Sequence, residues 1–403
     1  MKHLAWFILL AFFAVTACSE IDIDEGPLPD ISMVTPQNLN TALPIYNISC
    51  DTHEYARMYN QYSKNWIVAA TLSHYNSDNQ LQFEGVSADI RIKGVSSARS
   101  SLKSIGFIFD TLFNNQLFNS VSNHNLMPHH NLEELYALRF RNSGNDFGNT
   151  MIKDLVYHRL AIASELNVEL MYGSPCHVFI NNEYEGLYNL RNENNLRGMA
   201  GLAGVDTGSI SLMKIDVDNG NIEWDEGQTA RAQLMEDAIK QEDEEAMWDL
   251  VDEANFIDYI LFQDYIGNRD WPQNNCRLYS VGNAPFRFVL YDLDYAAFNS
   301  KNPLMPELEY RKDDVSKIFR MMLEKPGFKT RLDARQKVLY GIWSYPLFHH
   351  LVDEAVREID DEIPYLMAKH KKPESKMDWK MRVEILKREF KTTDLNQRKK
   401  YDL

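Results

Sequence analysis

The sequence predicts a mixed α+β fold whose C-terminal part is mainly helical, and three observations carry that expectation. Short apolar runs with period-two alternation, bounded by Gly, Ser and Asn turns, fill the first half. Helical spacing dominates from Ala246 onward, and beyond the N-terminus no apolar stretch is long enough to span a bilayer. With 12% aromatic and 25% charged residues the chain belongs among ordered globular proteins rather than disordered ones. A formal charge of −16 argues against nucleic acid or anionic lipid as the main partner, while leaving room for a local basic pocket.

The elements follow in order. Met1-Lys2-His3 and the apolar stretch Leu4 to Ala17 have the length and shape of a signal peptide. The run Val15-Thr16-Ala17-Cys18 resembles a lipobox, so residues 1–17 are expected to be removed and Cys18 to be the lipidated mature N-terminus. Residues 18–45, acidic and turn-rich at first, read as a tether. Ser19 after the cysteine favours the outer membrane, so the expected address is the cell envelope, with lipid as the only anchor. Removing the leader leaves 403 − 17 = 386 residues, enough for one two-lobed unit or two domains. Three cysteines remain, Cys50, Cys176 and Cys276. An odd count without CxxC allows at most one disulfide and suggests no zinc site.

Ser87 to Lys93 alternates as a strand, the serine-rich turn Gly94 to Ser101 follows, and Leu102 to Phe109 is a second strand. Leu135 to Phe140 reads as a strand, a polar loop spans 141–146, and Asn149 to Leu166 has mostly helical spacing. His177 to Ile180 and Tyr184 to Leu190 form a hairpin around Asn181-Asn182-Glu183. Residues 198–245 read as a connection holding one short strand, Ser209 to Ile215. From Ala246 a helix with Phe256, Ile257, Ile260, Leu261 and Tyr265 on one face delivers the chain to Asn268. Two strands, Cys276 to Ser280 and Phe286 to Tyr291, precede Asp292.

The order helix, polar loop, hairpin, acidic turn is one that phosphoryl-transfer sites use. Asp270 and Asn275 stand five apart, as the catalytic Asp and metal-binding Asn do in the protein-kinase loop H-R-D-x-x-x-x-N. An Asp there orients the acceptor hydroxyl, and an Asn carbonyl is a neutral hard-oxygen ligand for Mg²⁺. Asp292 and Asp294, at i and i+2 of a strand end, are expected to share one face and one divalent cation. Asp294-Tyr295-Ala296 is similar to the metal-binding D-F-G turn. The adjacent pairs His129-His130 and His349-His350 diverge on any regular element and do not read as metal ligands. Trp66, Trp224, Trp248, Trp271 and Trp343 read as core or rim aromatics, and no G-x-S-x-G, H-E-x-x-H or Walker motif occurs.

GNRDWPQNN and FRFVLYDLDYAAF resemble the core of the CotH kinase family, and IRIKGVSSARSSLKS, LRFRNSGNDFGNTMIKDL and VFINNEYEGLYNLRNE resemble its upstream segments. The resemblance runs from about residue 50 to the C-terminus. It implies an atypical protein-kinase-like, two-lobed fold, here with lobes at 46–197 and 198–403, that binds ATP with Mg²⁺ or Mn²⁺ and phosphorylates Ser or Thr of a protein substrate. Carried over by position, Asp270 is the catalytic Asp, Asn275 and Asp294 are metal ligands, and Asp292 assists. Lys103 is the phosphate-binding lysine, and Gly94, Ser96 and Ser97 form the loop over the phosphates, with Arg91 on the same cofactor side. Two positions depart from the pattern: Lys153 stands where arginine is expected, and the family's glutamate falls on Asn192 or, by a one-residue shift, on Glu193.

Two further readings compete. An exported chain can keep the fold as a non-catalytic module that binds protein or glycan at the cell surface. A third is a phosphotransferase acting on an envelope glycan or small molecule.

Overall fold

The computed structural model describes residues 26–109, 137–297 and 304–402. The expected leader, Cys18 and His129-His130 lie outside the described residues. The architecture is mixed α/β: a closed seven-stranded barrel, a four-stranded sheet, and a helical C-terminal part. No helix among the described residues is long and apolar enough to cross a membrane.

The barrel is built from β1 (Ile45–Cys50), β2 (Val68–Tyr75), β3 (Leu81–Lys93), β4 (Ser104–Phe109), β5 (Ala137–Arg141), β6 (Gly173–Ile180) and β7 (Glu183–Asn192). Its order is β1-β2-β3-β4-β5-β7-β6, and β6 closes the ring by pairing parallel with β1. Closure leaves no strand edge to satisfy. Alternation sends Ile90, Ile92, Phe107, Leu138 and Phe140 inside, where Phe140 meets Phe107 edge-on at 5.5 Å. The opposite face of the same strands carries Arg91, Lys93, Arg139 and Arg141. That polar face is turned toward the second half of the chain. The helix α1 (Thr52–Asn60), capped by Asp51, sits between β1 and β2.

Several expectations shift. The hairpin loop is two residues rather than three: Asn181 and Asn182 both take positive φ, 51° and 67°, as a type I′ turn requires and Asn tolerates. The expected helix from Asn149 starts instead as α2 (Lys153–Ala163), because Met151 adopts φ 65° and Asp146 accepts the backbone N–H groups of Thr150 and Lys153. The later part of the expected tether docks on the barrel, with Leu39 buried and Thr41 donating to Glu362 at 2.7 Å.

Residues 198–245 hold more structure than the single expected strand. After α3 (Leu196–Ala203), β8 (Ile210–Ile215) turns into β9 (Ile222–Gly227), then come α4 (Thr229–Gln241) and α5 (Glu244–Leu250). The strand β9 is an edge strand with acidic, largely uncovered side chains, so it lacks an alternating apolar signal. The helix α6 (Glu253–Tyr265) is buried on every side from Asn255 to Tyr265. Asn255 brackets the backbone of Phe288, accepting its N–H at 2.6 Å and donating to its carbonyl at 3.1 Å. This fixes α6 against β10 (Arg277–Val281) and β11 (Arg287–Val289), which complete the sheet β11-β10-β8-β9.

The remainder is helical: α7 (Asp314–Leu323), α8 (Phe328–Ile342), α9 (Tyr345–Ile359), α10 (Ile363–His370) and α11 (Lys376–Tyr401). The long α11 returns to the site region, where Trp379 is fully buried and its indole N–H donates to Thr150 O at 2.9 Å. Phe390 stacks on Phe348 with ring centroids 3.8 Å apart. Cys50, Cys176 and Cys276 are free thiols.

Candidate active site

The loop after α6 is held from within. Buried Asn268 donates to Gln263 Oε1 at 2.9 Å and its carbonyl accepts Trp271 N–H at 3.2 Å, while the Trp271 ring packs edge-on against Tyr259. Asp270 and Asn275 are thereby presented together, the Asn275 Nδ2 donating to Asp270 Oδ2 at 3.2 Å and to the Asp292 carbonyl at 3.4 Å. With its nitrogen turned inward, the Asn275 amide offers its oxygen as the remaining ligand atom. Burial and the nearby Asp292 carboxylate raise the Asp270 pKa.

Asp292 and Asp294 converge by a different route from the one expected. The strand β11 ends at Val289, and Asp292 adopts φ 56°, so a left-handed turn rather than strand alternation sets the pair. Leu293 between them is buried in the core, and its backbone N–H donates to Asp154 Oδ1 of α2 at 2.7 Å. Arg141 Nη2 then contacts Asp292 Oδ1 at 2.6 Å and Asp294 Oδ2 at 2.7 Å. Asn145 adds its backbone N–H to Asp294 Oδ2 at 3.0 Å and its Nδ2 to Oδ1 at 3.2 Å. Burial, then Asp292, push the Asp294 carboxyl up despite Arg141. Burial also pushes Asp154 up, but Arg141 and Arg191 outweigh it and hold this carboxylate well below its usual range.

Glycine is required at one corner. Gly144 has φ 60°, and a Cβ there would collide with both Asp294 Oδ2 and Arg141 Nη2. Asn142 links this corner to the Gly94–Ser101 loop, accepting Gly144 N–H at 3.1 Å and donating to Ser97 O at 3.2 Å and Leu102 O at 2.7 Å. Gly94 itself has φ 93°, and Ser96 and Ser97 open a single 3-10 turn.

Lys103 is not brought to the acidic cluster. It directly precedes Ser104, which pairs with Lys93 across β3 and β4, so alternation sends the two lysines to opposite faces. The Lys103 ammonium donates to Ala98 O at 2.6 Å and Ser100 O at 2.9 Å and lies over the rings of Tyr59 and Tyr62. It pins the base of the loop from below.

The lysine on the site face is Lys93, 3.5 Å from Glu193 Oε1. Arg139 engages the same carboxylate with two bonds, 3.0 and 2.8 Å. Gly106, opposite Arg91 and Arg139 in register, makes the crossing possible: a Cβ there would stand 2.6 Å from Lys93 Cε. Burial lowers the Lys93 amine to about 8, against the pull of Glu193. Glu193, which burial would raise, is instead held down at about 2 by Arg139 and then Lys93. The two ends differ because Arg139, not Lys93, is the carboxylate's closer partner. Of the two positions, Glu193 is the one that pairs with Lys93, while Asn192 turns away to donate to Leu170 O at 3.2 Å.

The donor set suits a hard divalent ion: two carboxylates and an amide oxygen at one turn, with a cationic nitrogen already between the carboxylates. Among the described residues no group of three or more His, Cys, Asp or Glu is arrayed as a ready metal site. The third oxygen donor here is an Asn. A cavity of about 280 Å³ opens beside Asp294 and Tyr295, bounded by Asn145, Lys153, Arg382 and Glu389. Three larger ones, about 550, 540 and 340 Å³, are lined by none of the site residues expected from the sequence. Sequence reasoning missed Lys93, Arg139, Arg141 and Asp154. The available signals were the strand glycine at 106 and the period-two spacing of Arg139 and Arg141.

The chain belongs to the CotH kinase family: the family model described as CotH kinase protein matches residues 90–254 and 219–394. No curated protein matches the chain.

Proposed function

We propose that the chain is an ATP- and divalent-metal-dependent protein kinase of the CotH type, phosphorylating Ser or Thr of a protein at the cell envelope, to which lipidated Cys18 anchors it. The single observation that carries this reading is the convergence of Asp270, Asn275, Asp292 and Asp294 at one turn, bonded through Arg141 to the barrel face that also carries the Lys93–Glu193 pair. In this reading the barrel serves as an N-terminal lobe and the helical part as a C-terminal lobe.

Each residue then has a task. Asn275, Asp294 and Asp292 would hold Mg²⁺ or Mn²⁺ through hard oxygens. The ion, when bound, supplies charge neutralisation at the phosphate oxygens. Lys93 takes the phosphate-binding role that the family resemblance had given to Lys103, oriented by Glu193 as a lysine is by a carboxylate in kinases. Gly94, Ser96 and Ser97 lie over the phosphates with backbone N–H and hydroxyl donors, and Arg91 adds positive charge on the same face. Asp270, half-buried and beside Asp292, orients the acceptor hydroxyl and takes its proton.

The test is to incubate the purified chain with labelled ATP and Mg²⁺ or Mn²⁺, beside Asp270→Ala and Asp294→Ala. Label on protein with the wild type alone supports the kinase. A folded wild type that binds no nucleotide and transfers no phosphate favours the surface binding module.

A further inference from the structure

Arg141 leaves β5 on the face opposite Phe140, and its side chain is only 10% exposed. Its Nη2 lies 2.6 Å from Asp292 Oδ1 and 2.7 Å from Asp294 Oδ2. A hard cation bridging two carboxylates sits at roughly 2.0–2.6 Å from each oxygen. Nη2 therefore occupies the space between the two carboxylate oxygens, about 0.5–0.7 Å farther from each than Mg²⁺ would be, and blocks an ion from bridging them. Two cations cannot share that space, because like charges at this spacing in a covered site repel strongly.

The guanidinium is also incompletely held. Its Nε is buried without a hydrogen-bond partner and lies 3.6 Å from Asp154 Oδ2, just beyond hydrogen-bond reach. A small shift toward Asp154 would give Nε a partner while drawing Nη2 off the acidic pair. Asp154 is anchored for this, since Arg191 and the Leu293 backbone fix both of its oxygens. Gly144, with no side chain, leaves the Arg141 Nη2 and Asp294 Oδ2 contact unobstructed.

We propose that Arg141 is a built-in counter-cation for Asp292 and Asp294, holding the two carboxylates together and yielding its place when a divalent ion enters. This rests on the nucleotide and metal reading above. A phosphate-bearing ligand would supply the displaced guanidinium with new anionic partners, so metal and nucleotide should bind with positive coupling. Free divalent ion alone should bind weakly.

The experiment measures Mn²⁺ binding to the wild type and to Arg141→Gln by electron paramagnetic resonance of the free ion, with and without a non-hydrolysable ATP analogue. Folding is checked by circular dichroism. Without nucleotide, Arg141→Gln is expected to bind Mn²⁺ about tenfold more tightly, since the competing charge is gone. With the analogue present the advantage should shrink or reverse. Equal or weaker Mn²⁺ binding by folded Arg141→Gln, alongside wild-type binding of the Mn²⁺–analogue complex, overturns the inference and leaves the kinase reading standing. Absence of Mn²⁺ binding by both folded chains, with or without analogue, overturns both. Should Arg141→Gln not fold, Arg141→Lys carries the test, because its ammonium falls about one bond short of the Nη2 position. Its Mn²⁺ affinity should exceed that of the wild type, and an equal or lower value overturns the proposal.

Discussion

Asp154 Oδ1 accepts the backbone N–H of Leu293 at 2.7 Å, so a helix 139 residues earlier in the chain fixes the turn that carries Asp292 and Asp294. The same carboxylate receives Arg191 Nη2 at 2.9 Å. Its replacement, Asp154→Ala, strands a buried arginine and frees the turn, at a cost of about 3–5 kcal/mol. The pH dependence has a definite sign. Asp154 is held well below its ordinary 3.8, so its contribution is complete above that value and disappears as pH falls toward the lower folded value. Urea midpoints measured from pH 6 down to pH 2 should therefore fall more steeply for the wild type than for Asp154→Ala. Parallel profiles would contradict this role.

Gly106 separates stability from ligand binding. Its backbone has no left-handed strain, and an added Cβ meets the Lys93 side chain along its length, Cε at 2.6 Å and Cγ at 2.9 Å, with Glu193 Oε1 at 3.2 Å. Gly106→Ala should fold, at a cost of about 1–3 kcal/mol as the buried Lys93 side chain shifts. Lys93 would be pushed off its path to Glu193, and nucleotide affinity should drop by about tenfold or more, as loss of a charge-assisted bond does. Titration with ATP beside thermal denaturation checks both halves. Unchanged affinity in a variant that folds normally would remove Lys93 from the nucleotide site.

The acidic half of this site was legible because it is local. Asp270 to Asp294 is one helix-to-hairpin passage, so nearness in the chain already groups Asp270, Asn275, Asp292 and Asp294, although Asp154 and Arg141 from elsewhere fix the turn. The cationic half was not, because it depends on barrel register. Lys93 and Lys103 both flank the Gly94–Ser101 turn, and only pairing across β3, β4, β5 and β7 shows which one meets Glu193. The fold shows the same division. Strands β3 and β4 and the β6–β7 hairpin announce themselves by alternation and Asn turns, whereas β9 is an acidic edge strand with little to alternate. Barrel closure by parallel pairing of β1 and β6 joins residues 177 − 45 = 132 positions apart and leaves no local mark.

The Lys93 and Glu193 pair should give nucleotide binding its own pH profile. Lys93 titrates near 8 rather than 10.5, so the unfolded chain binds the extra proton between those values and this group makes stability rise with pH across that window. Glu193 works at the acid end: held at about 2 rather than 4.5, its stabilisation is complete above 4.5 and lost as pH falls from there. If charged Lys93 holds phosphate, affinity should fall as pH rises through about 8. Glu193→Gln removes the attraction that sustains the charge, so the fall should move to lower pH. A flat affinity between pH 7 and 9 in the wild type would argue that Lys93 does not contact the nucleotide.

Asp270 and Asp294 should fail in different ways, which distinguishes a working kinase site from an acidic turn kept for structure. Asp294 is buried and tied to Arg141 and Asn145, and in the proposed role it is a metal ligand. Asp294→Asn should therefore abolish binding of the metal–nucleotide complex itself. Asp270 is half-buried and its hydrogen-bond partner is the side chain of Asn275, which Asp270→Asn can still satisfy through its own amide oxygen. That variant should bind Mn²⁺ and ATP almost as the wild type does and lose kcat by about 10²–10⁴-fold, the usual worth of a positioned general base. The decisive comparison is binding by calorimetry beside turnover for the two variants. If both lose binding and turnover in parallel, Asp270 positions the site and does not handle the acceptor's proton.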